Sequence, residues 1–202
     1  MGAKFGSLHV LGADVATVKR LIKTGSEPEL PAPADPAMAM VFEALAANPL
    51  LRLSRSIIPE TYHLNSDDRG VNVYSEVLRG GFGSSMLPWF SELDGWAVSV
   101  GCFDEDFLEV ALARAGRVVT RLVAGENSDS YGKYPSRLSP GVVMDVFGVG
   151  ESDLEAACDT DDVVEMAERL GGLLGLPFLP QGGESGAGLS RLGPAVRRWS
   201  KR

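Results

Sequence analysis

The feature that most constrains the fold is a set of three strand-like segments joined by very short links. Residues 96–103, 107–113 and 117–124 are rich in apolar and β-branched side chains, and three residues separate each from the next. Links of this length can join antiparallel neighbours but cannot contain the crossover that parallel strands require. The sequence therefore predicts an antiparallel meander, in which alternation places Leu108 and Val110 on the same face of the sheet.

Other patterns extend this unit in both directions. Residues 5–11 and 71–78 predict two further strands, and Asp14 is placed to cap a helix with one apolar face. The strongest helical period covers 161–174, and shorter helical patterns cover 37–47, 142–147 and 153–158. We therefore expect an α+β fold: a mainly antiparallel sheet, made of the meander over 96–124 and these two strands, with the helices packed on one face.

The length of 202 residues and the 45% hydrophobic content suit one globular domain. We expect residues 1–180 to form it, interrupted by a proline-rich loop over 24–36. Residues 181–202 begin with a glycine-rich stretch and end with a basic amphipathic pattern. They predict a flexible link followed by a short C-terminal helix.

The formal charge of −8 is unevenly distributed. Residues 191–202 contain five basic residues and no acid, so the preceding part of the chain carries −13. Such an acidic body argues against a general nucleic-acid-binding protein and favours a partner with a basic surface. The amphipathic segment 189–202 has two interpretations: it docks on the acidic body, or it contacts an anionic membrane surface.

The rare residue types indicate a cytoplasmic protein without a metal centre. Cys102 and Cys158 are the two cysteines and lack CxxC spacing, and His9 and His63 are isolated in the sequence. Reduced thiols are therefore expected, and no zinc-ligand spacing is present. No apolar run approaches the length of a transmembrane helix. We predict no transmembrane segment, no metal and no cofactor.

Residues 80–85 form a glycine-rich loop between a predicted strand and a predicted helix, where backbone amides can hold a phosphate group. The candidate phosphate contacts are Gly81, Gly83, Ser84 and Ser85. Met86 occupies the place of the third glycine of a dinucleotide fingerprint, and no Lys-Ser or Lys-Thr pair follows as in a P-loop. The alternative is an ordinary strand-to-helix turn with Ser85 as its N-cap.

Acidic residues in predicted loops supply the candidate partner contacts. Asp104, Glu105 and Asp106 occupy the first meander link, and Asp129 lies in a polar loop after the last meander strand. Asp104 and Asp106 also suggest a pair of carboxylates for a hard cation or for acid–base chemistry. The third interpretation is a solvated turn, where acidic residues are common. No catalytic motif is assembled in the sequence, and we predict no catalytic residue.

Three stretches, 5–22, 96–119 and 161–177, resemble a family of uncharacterised small soluble proteins from bacteria. Small acidic α+β proteins of this kind also resemble the immunity proteins of bacterial toxin systems. The three stretches cover about a third of the chain and contain no catalytic motif. The resemblance implies an α+β fold and a cytoplasmic location, and it assigns no activity to any residue.

Charge, motifs and resemblance together predict a non-catalytic cytoplasmic binding protein whose acidic surface engages a basic protein partner. An immunity-type inhibitor is the concrete form of this expectation. The alternative is a small enzyme or ligand-binding domain that uses the glycine loop at 80–85 or the carboxylates of Asp104 and Asp106.

Overall fold

A computed structural model gives the fold, and it describes residues 5–24, 62–74, 87–88, 90–91, 95–103, 107–126, 128, 135–178 and 190–191. The strands are β1 (Phe5–Leu11), β2 (His63–Ser66), β3 (Gly70–Tyr74), β4 (Trp96–Phe103), β5 (Phe107–Arg114), β6 (Arg117–Ala124) and β7 (Ser190–Arg191). The helices are α1 (Val15–Thr24), α2 (Pro140–Phe147), α3 (Glu151–Cys158) and α4 (Val163–Leu174). None of the helices in these ranges is both long enough and apolar enough to cross a membrane.

The strands form one antiparallel sheet with the order β6-β5-β4-β1-β3-β2-β7. The predicted meander is confirmed as β4, β5 and β6, which pair in sequence order along one half of the sheet. Strand β1 lies in the middle, between β4 and β3, with Phe5 opposite Cys102 and His9 opposite Asn72. Strand β1 therefore joins the meander on one side of the sheet to β3, β2 and β7 on the other.

Both faces of the sheet are buried. On one face, Val98, Val110 and Leu122 belong to a core with Leu154 of α3 and Leu170 of α4. This core is built where the alternation predicted it, because Leu108 and Leu112 lie on the same face as Val110.

The second core lies on the opposite face. There Leu8 and Ala111 belong to a cluster with Val18 and Ile22, the buried positions of α1. The α+β class and the antiparallel sheet are thus confirmed, but the helices do not all gather on one face: α2, α3 and α4 cover one side and α1 the other. The physical reason is that β1, β4 and β5 are apolar at both odd and even positions, so each face must be covered.

Local capping defines the helix ends. The Asp14 side chain accepts a hydrogen bond from the Thr17 amide at 2.6 Å, which confirms the predicted cap of α1. The Asp162 side chain accepts from the Val164 and Glu165 amides and begins α4. Gly175 ends that helix in a left-handed conformation with φ of 63°, and its amide bonds back to the helix carbonyls.

Several predicted segments lie wholly or partly outside the described residues. The strand predicted over 71–78 is observed as β3, which ends at Tyr74 in the described range. The proline-rich loop beyond Thr24 and the helix predicted over 37–47 lie outside it. The link and helix predicted over 181–202 also lie outside it, except for Ser190–Arg191, which pair with β2 as a strand. Membrane contact through 189–202 stays a prediction.

Candidate functional site

The loop residues proposed from sequence all lie outside the described part of the chain. This holds for the acidic contacts Asp104, Glu105, Asp106 and Asp129, and for the glycine-loop residues Gly81, Gly83, Ser84 and Ser85. The link that contains the first three joins β4 to β5, as predicted. Partner, cation and phosphate binding at these residues therefore stay predictions.

A strongly acidic surface covers the layer formed by α2, α3 and α4. Residues 140–178 contain nine acidic residues, all exposed, and a single basic residue, Arg169. We call this set the acidic helical face: Asp145, Glu151, Asp153, Glu155, Asp159, Asp161, Asp162, Glu165 and Glu168. Nine acids and one base give this helical layer a formal charge of −8.

The amphipathic character of the helices orients these carboxylates outward. In α4, Val163, Met166 and Leu170 are buried against the sheet, and this leaves Glu165 and Glu168 on the solvent side. In α3, the buried positions are Leu154 and Ala157. The acidic helical face thus combines the polar sides of these helices with Asp159, Asp161 and Asp162, which lie between α3 and α4.

Ion pairing leaves most of this charge uncompensated among the described residues. Arg137 Nη1 lies 2.6 Å from Glu155 Oε1, and Arg169 Nη2 lies 2.7 Å from Glu165 Oε1. Arg169 also donates to the carbonyls of Ala156 and Asp159 at 3.2 Å, so its guanidinium joins the end of α3 to α4. Hydrogen bonds from Thr160 and Arg169 lower the pKa of Glu165 below its ordinary value, which keeps that carboxylate ionised.

An open groove of about 810 Å³ lies where the end of β6 meets α3 and the start of α4. Its apolar lining includes Val123 and Met166, both buried. Its acidic lining comes from Glu126, Glu155, Asp159 and Asp161, all exposed. An apolar floor beneath carboxylates suits a long cationic side chain, whose stem is apolar and whose head is charged.

The thiol in this groove does not favour nucleophilic chemistry. Cys158 is half-buried, and burial raises the pKa of its thiol against the opposing attraction of Arg137. A protonated thiol is a poor nucleophile and a poor metal ligand. Within the described ranges, no three His, Cys, Asp or Glu side chains are grouped as metal ligands.

A second polar site lies on the sheet face that α4 covers, between β1 and β3. Ser7 Oγ lies 3.0 Å from His9 Nε2, and His9 Nδ1 is within hydrogen-bond distance of Asn72 Oδ1. Asn72 Nδ2 donates to Asp67 Oδ2 at 2.8 Å. We call these four residues the polar chain. It runs from the interior to the exposed β2–β3 turn, where Asp67 Oδ1 accepts from the Arg69 amide at 2.8 Å.

The polar chain has a defined direction because it ends on a carboxylate. Burial alone would raise the pKa of Asp67, but hydrogen bonds from Asn72, Arg69 and Gly70 lower it below its ordinary value, so Asp67 is ionised. An ionised carboxylate only accepts, which turns the Asn72 amide NH₂ toward Asp67 and its oxygen toward His9. His9 must therefore carry its proton on Nδ1, and its Nε2 accepts from the Ser7 hydroxyl.

Burial keeps this histidine neutral and inaccessible. It lowers the pKa of His9 to about 4, against the opposing effects of the Asn72 hydrogen bond and the charge of Asp67. Ser7 and His9 are fully buried, and Asn72 is 2% exposed. The order serine, histidine and amide is that of a nucleophile with its base, yet no substrate reaches the hydroxyl in this conformation. The polar chain is an internal network and not an acyl-transfer site.

Sequence reasoning missed both features. The acidic helical face could have been found by counting charges along residues 145–168, where acids occupy the polar positions of each predicted helix. The polar chain had a weaker signal, namely Ser7 and His9 at alternate positions of an otherwise apolar strand. Its third member, Asn72, is 63 residues from His9, and strand pairing alone brings the two together.

The acidic helical face and the polar chain are the two candidate sites of the described chain, and the comparisons assign a role to neither. No protein-family model, curated protein or solved structure matches this chain.

Proposed function

We propose that the chain is a non-catalytic, cytoplasmic binding protein whose acidic surface engages a basic protein partner. The observation that carries the proposal is the acidic helical face, in which nine exposed carboxylates are accompanied by two paired arginines, Arg137 and Arg169. An immunity-type inhibitor of a basic toxin is the concrete version. Cys102 and Cys158 are free thiols, which supports the proposed cytoplasmic location because the cytoplasm is reducing.

Exposed charge at this density mainly increases the rate at which an oppositely charged partner associates. A face of one sign raises the local concentration of an oppositely charged partner and orients it during the encounter. Exposed charges separated by more than the Debye length are screened, so such binding weakens as salt is added. Binding of this partner should therefore depend steeply on ionic strength.

The groove beside β6 gives this face a specific contact point. A lysine or arginine of the partner can place its aliphatic stem on Val123 and Met166 and its charged head among the surrounding carboxylates. Such an anchor, surrounded by charged contacts, is the usual energetic pattern of protein interfaces. The proposal therefore separates two roles: the whole face attracts, and the groove anchors.

The test is capture of a partner from the native host on the immobilised chain, at low salt and at about 1 M salt, where the Debye length is about 3 Å. We expect a basic protein that is retained at low salt and released at high salt. Absence of any salt-sensitive partner would overturn the proposal.

Two charge variants then locate the contact. The groove variant Glu126→Gln, Asp159→Asn, Asp161→Asn should weaken binding roughly tenfold or more. Its matched control, Asp68→Asn, Asp145→Asn, Glu151→Gln, removes the same charge from exposed positions that do not line the groove. We expect the control to retain most of the affinity. Equal losses in both variants would mean that net charge alone attracts the partner and that the groove is not the anchor.

A further inference from the structure

The Ser7 hydroxyl lies between two acceptors and has one proton to donate. Its oxygen is 3.0 Å from His9 Nε2 and 3.4 Å from the carbonyl oxygen of Phe178. In the neutral network the proton goes to Nε2, because the ionised Asp67 sets the orientation of Asn72 and thus the tautomer of His9. The Phe178 carbonyl, at 3.4 Å, is then the longer and weaker of the two acceptors for the Ser7 proton.

Phe178 belongs to a short segment that follows α4 and crosses the sheet over β1 and β3. We call residues 176–178 the strap. The Phe178 ring centroid lies 5.7 Å from that of His9, and the Pro177 carbonyl accepts from the Tyr74 hydroxyl at 3.3 Å. Just before the strap, the Leu174 carbonyl accepts from Arg69 Nη1 at 2.6 Å. The strap is therefore held on the sheet by these polar contacts, by the ring contact, and by burial of Leu176 and Phe178 in the first core.

Protonation of His9 would reverse one hydrogen bond and leave no group unpaired. With a proton on Nε2, the imidazolium donates to Ser7 Oγ, and its Nδ1 proton stays on Asn72 Oδ1. The Ser7 hydroxyl, now an acceptor from His9, is free to donate to Phe178 O. The four side chains of the polar chain are thus hydrogen-bonded in both protonation states, and the states differ in whether the Ser7 proton goes to His9 Nε2 or to the Phe178 carbonyl.

We propose that Ser7, His9 and Phe178 form a proton-operated hydrogen-bond switch that ties the strap to the central strand when His9 is protonated. At neutral pH the Ser7 hydroxyl stays within β1. In acid it joins the segment that follows α4, so the attachment of this segment becomes pH-dependent. The switch does not depend on the function proposed for the acidic helical face.

The ionisable groups around His9 fit a switch that operates in acid. Asp67 contacts His9 indirectly, through Asn72. Arg69 lies in the same β2–β3 turn as Asp67, and Tyr74 lies on the same strand as Asn72. His63, on β2, pairs with Tyr74. The neighbours on β4, Val98 and Val100, are apolar, and the strap itself contains no ionisable residue. Among the described residues, the charge of Asp67 favours the imidazolium, and burial opposes it.

Nuclear magnetic resonance tests the switch directly, since the ring ¹⁵N shifts of His9 report its protonation and the carbonyl ¹³C shift of Phe178 reports hydrogen-bond acceptance. In the wild-type chain we expect both signals to titrate with one midpoint. In Ser7→Ala, His9 should still titrate while the Phe178 carbonyl stays constant. The control Ser99→Ala removes a buried hydroxyl of β4 that faces the other core, and it should behave as the wild type.

A charge swap should raise the pH at which His9 titrates. The titration can then be followed at a pH where the protein is less prone to acid unfolding. The double variant Asp67→Asn, Asn72→Asp keeps the donor and acceptor geometry but places a carboxylate directly on His9. Both midpoints should rise together by roughly one pH unit or more. A Phe178 carbonyl that stays constant while His9 titrates, or that titrates equally in Ser7→Ala, overturns the proposal. So does a His9 that stays neutral until unfolding in both the wild type and the swap.

Discussion

Acidification should destabilise this protein through His9 well before its carboxylates are neutralised. Burial lowers the pKa of His9 to about 4, whereas the ordinary value is 6.5. Between these two values the unfolded chain binds a proton that the folded chain does not, so the free energy of unfolding falls as the pH falls. Below about pH 4 both states are protonated and this contribution stops growing.

The magnitude follows from the size of the shift. A difference of about 2.5 pKa units corresponds to about 3 kcal/mol, which His9 removes from the stability of the folded state between about pH 6.5 and pH 4. The value applies without a discount for solvent screening because the side chain is fully buried. For a domain of ordinary stability, this is a large fraction of the total.

Urea unfolding followed by circular dichroism at several values between about pH 7.5 and pH 4 measures this slope. The informative variant is His9→Gln, because a glutamine can donate to Asn72 and accept from Ser7 but does not titrate in this range. We expect the wild type to lose about 3 kcal/mol more than His9→Gln as the pH is lowered.

Two comparisons isolate the effect. Glu165, which hydrogen bonds keep ionised in the folded state, also loses stabilisation as the pH falls, but it does so equally in wild type and variant because His9 is not among the groups that lower its pKa. His63→Gln shows whether the slope belongs to His9 or to the other histidine of the chain. Equal acid sensitivity in the wild type and in His9→Gln would refute the reasoning.

Local backbone features give two further predictions, both measurable as shifts in the thermal midpoint. Gly175→Ala should cost about 1–2 kcal/mol because φ is 63° there, and an added Cβ would meet the Arg69 guanidinium at 2.8 Å. Gly172→Ala, inside α4 with open space around it, should instead stabilise by about 0.5–1 kcal/mol, and destabilisation there would contradict the argument. Asp162→Ala should cost about 1 kcal/mol through loss of the α4 cap, whereas its exposed neighbour Asp161→Ala should not.

The sheet and its meander could be predicted because their signals are local. Period-two alternation and three-residue links determine strand type, face and pairing direction within 29 residues, and β4, β5 and β6 agree with the prediction to within one residue. The cap at Asp14 is equally local. The two-sided burial was missed because small residues such as Ala111 and Ala113 look neutral in the sequence, although they allow α1 to pack closely on the second face.

The candidate sites were less predictable for physical reasons. The polar chain depends on the register between β1 and β3, which no pattern within either strand specifies. The acidic helical face comes from three helices whose charges converge only when their apolar sides pack on one sheet. The residues predicted as partner contacts lie in loops, whereas the acidic helical face lies on α2, α3, α4 and the segment between α3 and α4.

The position of β1 has a consequence for the order of folding. It precedes the other described strands along the chain, yet one of its partners is β4, with Phe5 facing Cys102 across nearly half the chain. The meander closes through short loops and can form early, but it leaves the β4 edge unpaired until β1 arrives. On the ribosome, β1 must wait for residues up to 102 to emerge before it can bridge the two halves of the sheet. We expect aggregation, when folding is slow, to begin with intermolecular pairing at the exposed β4 edge.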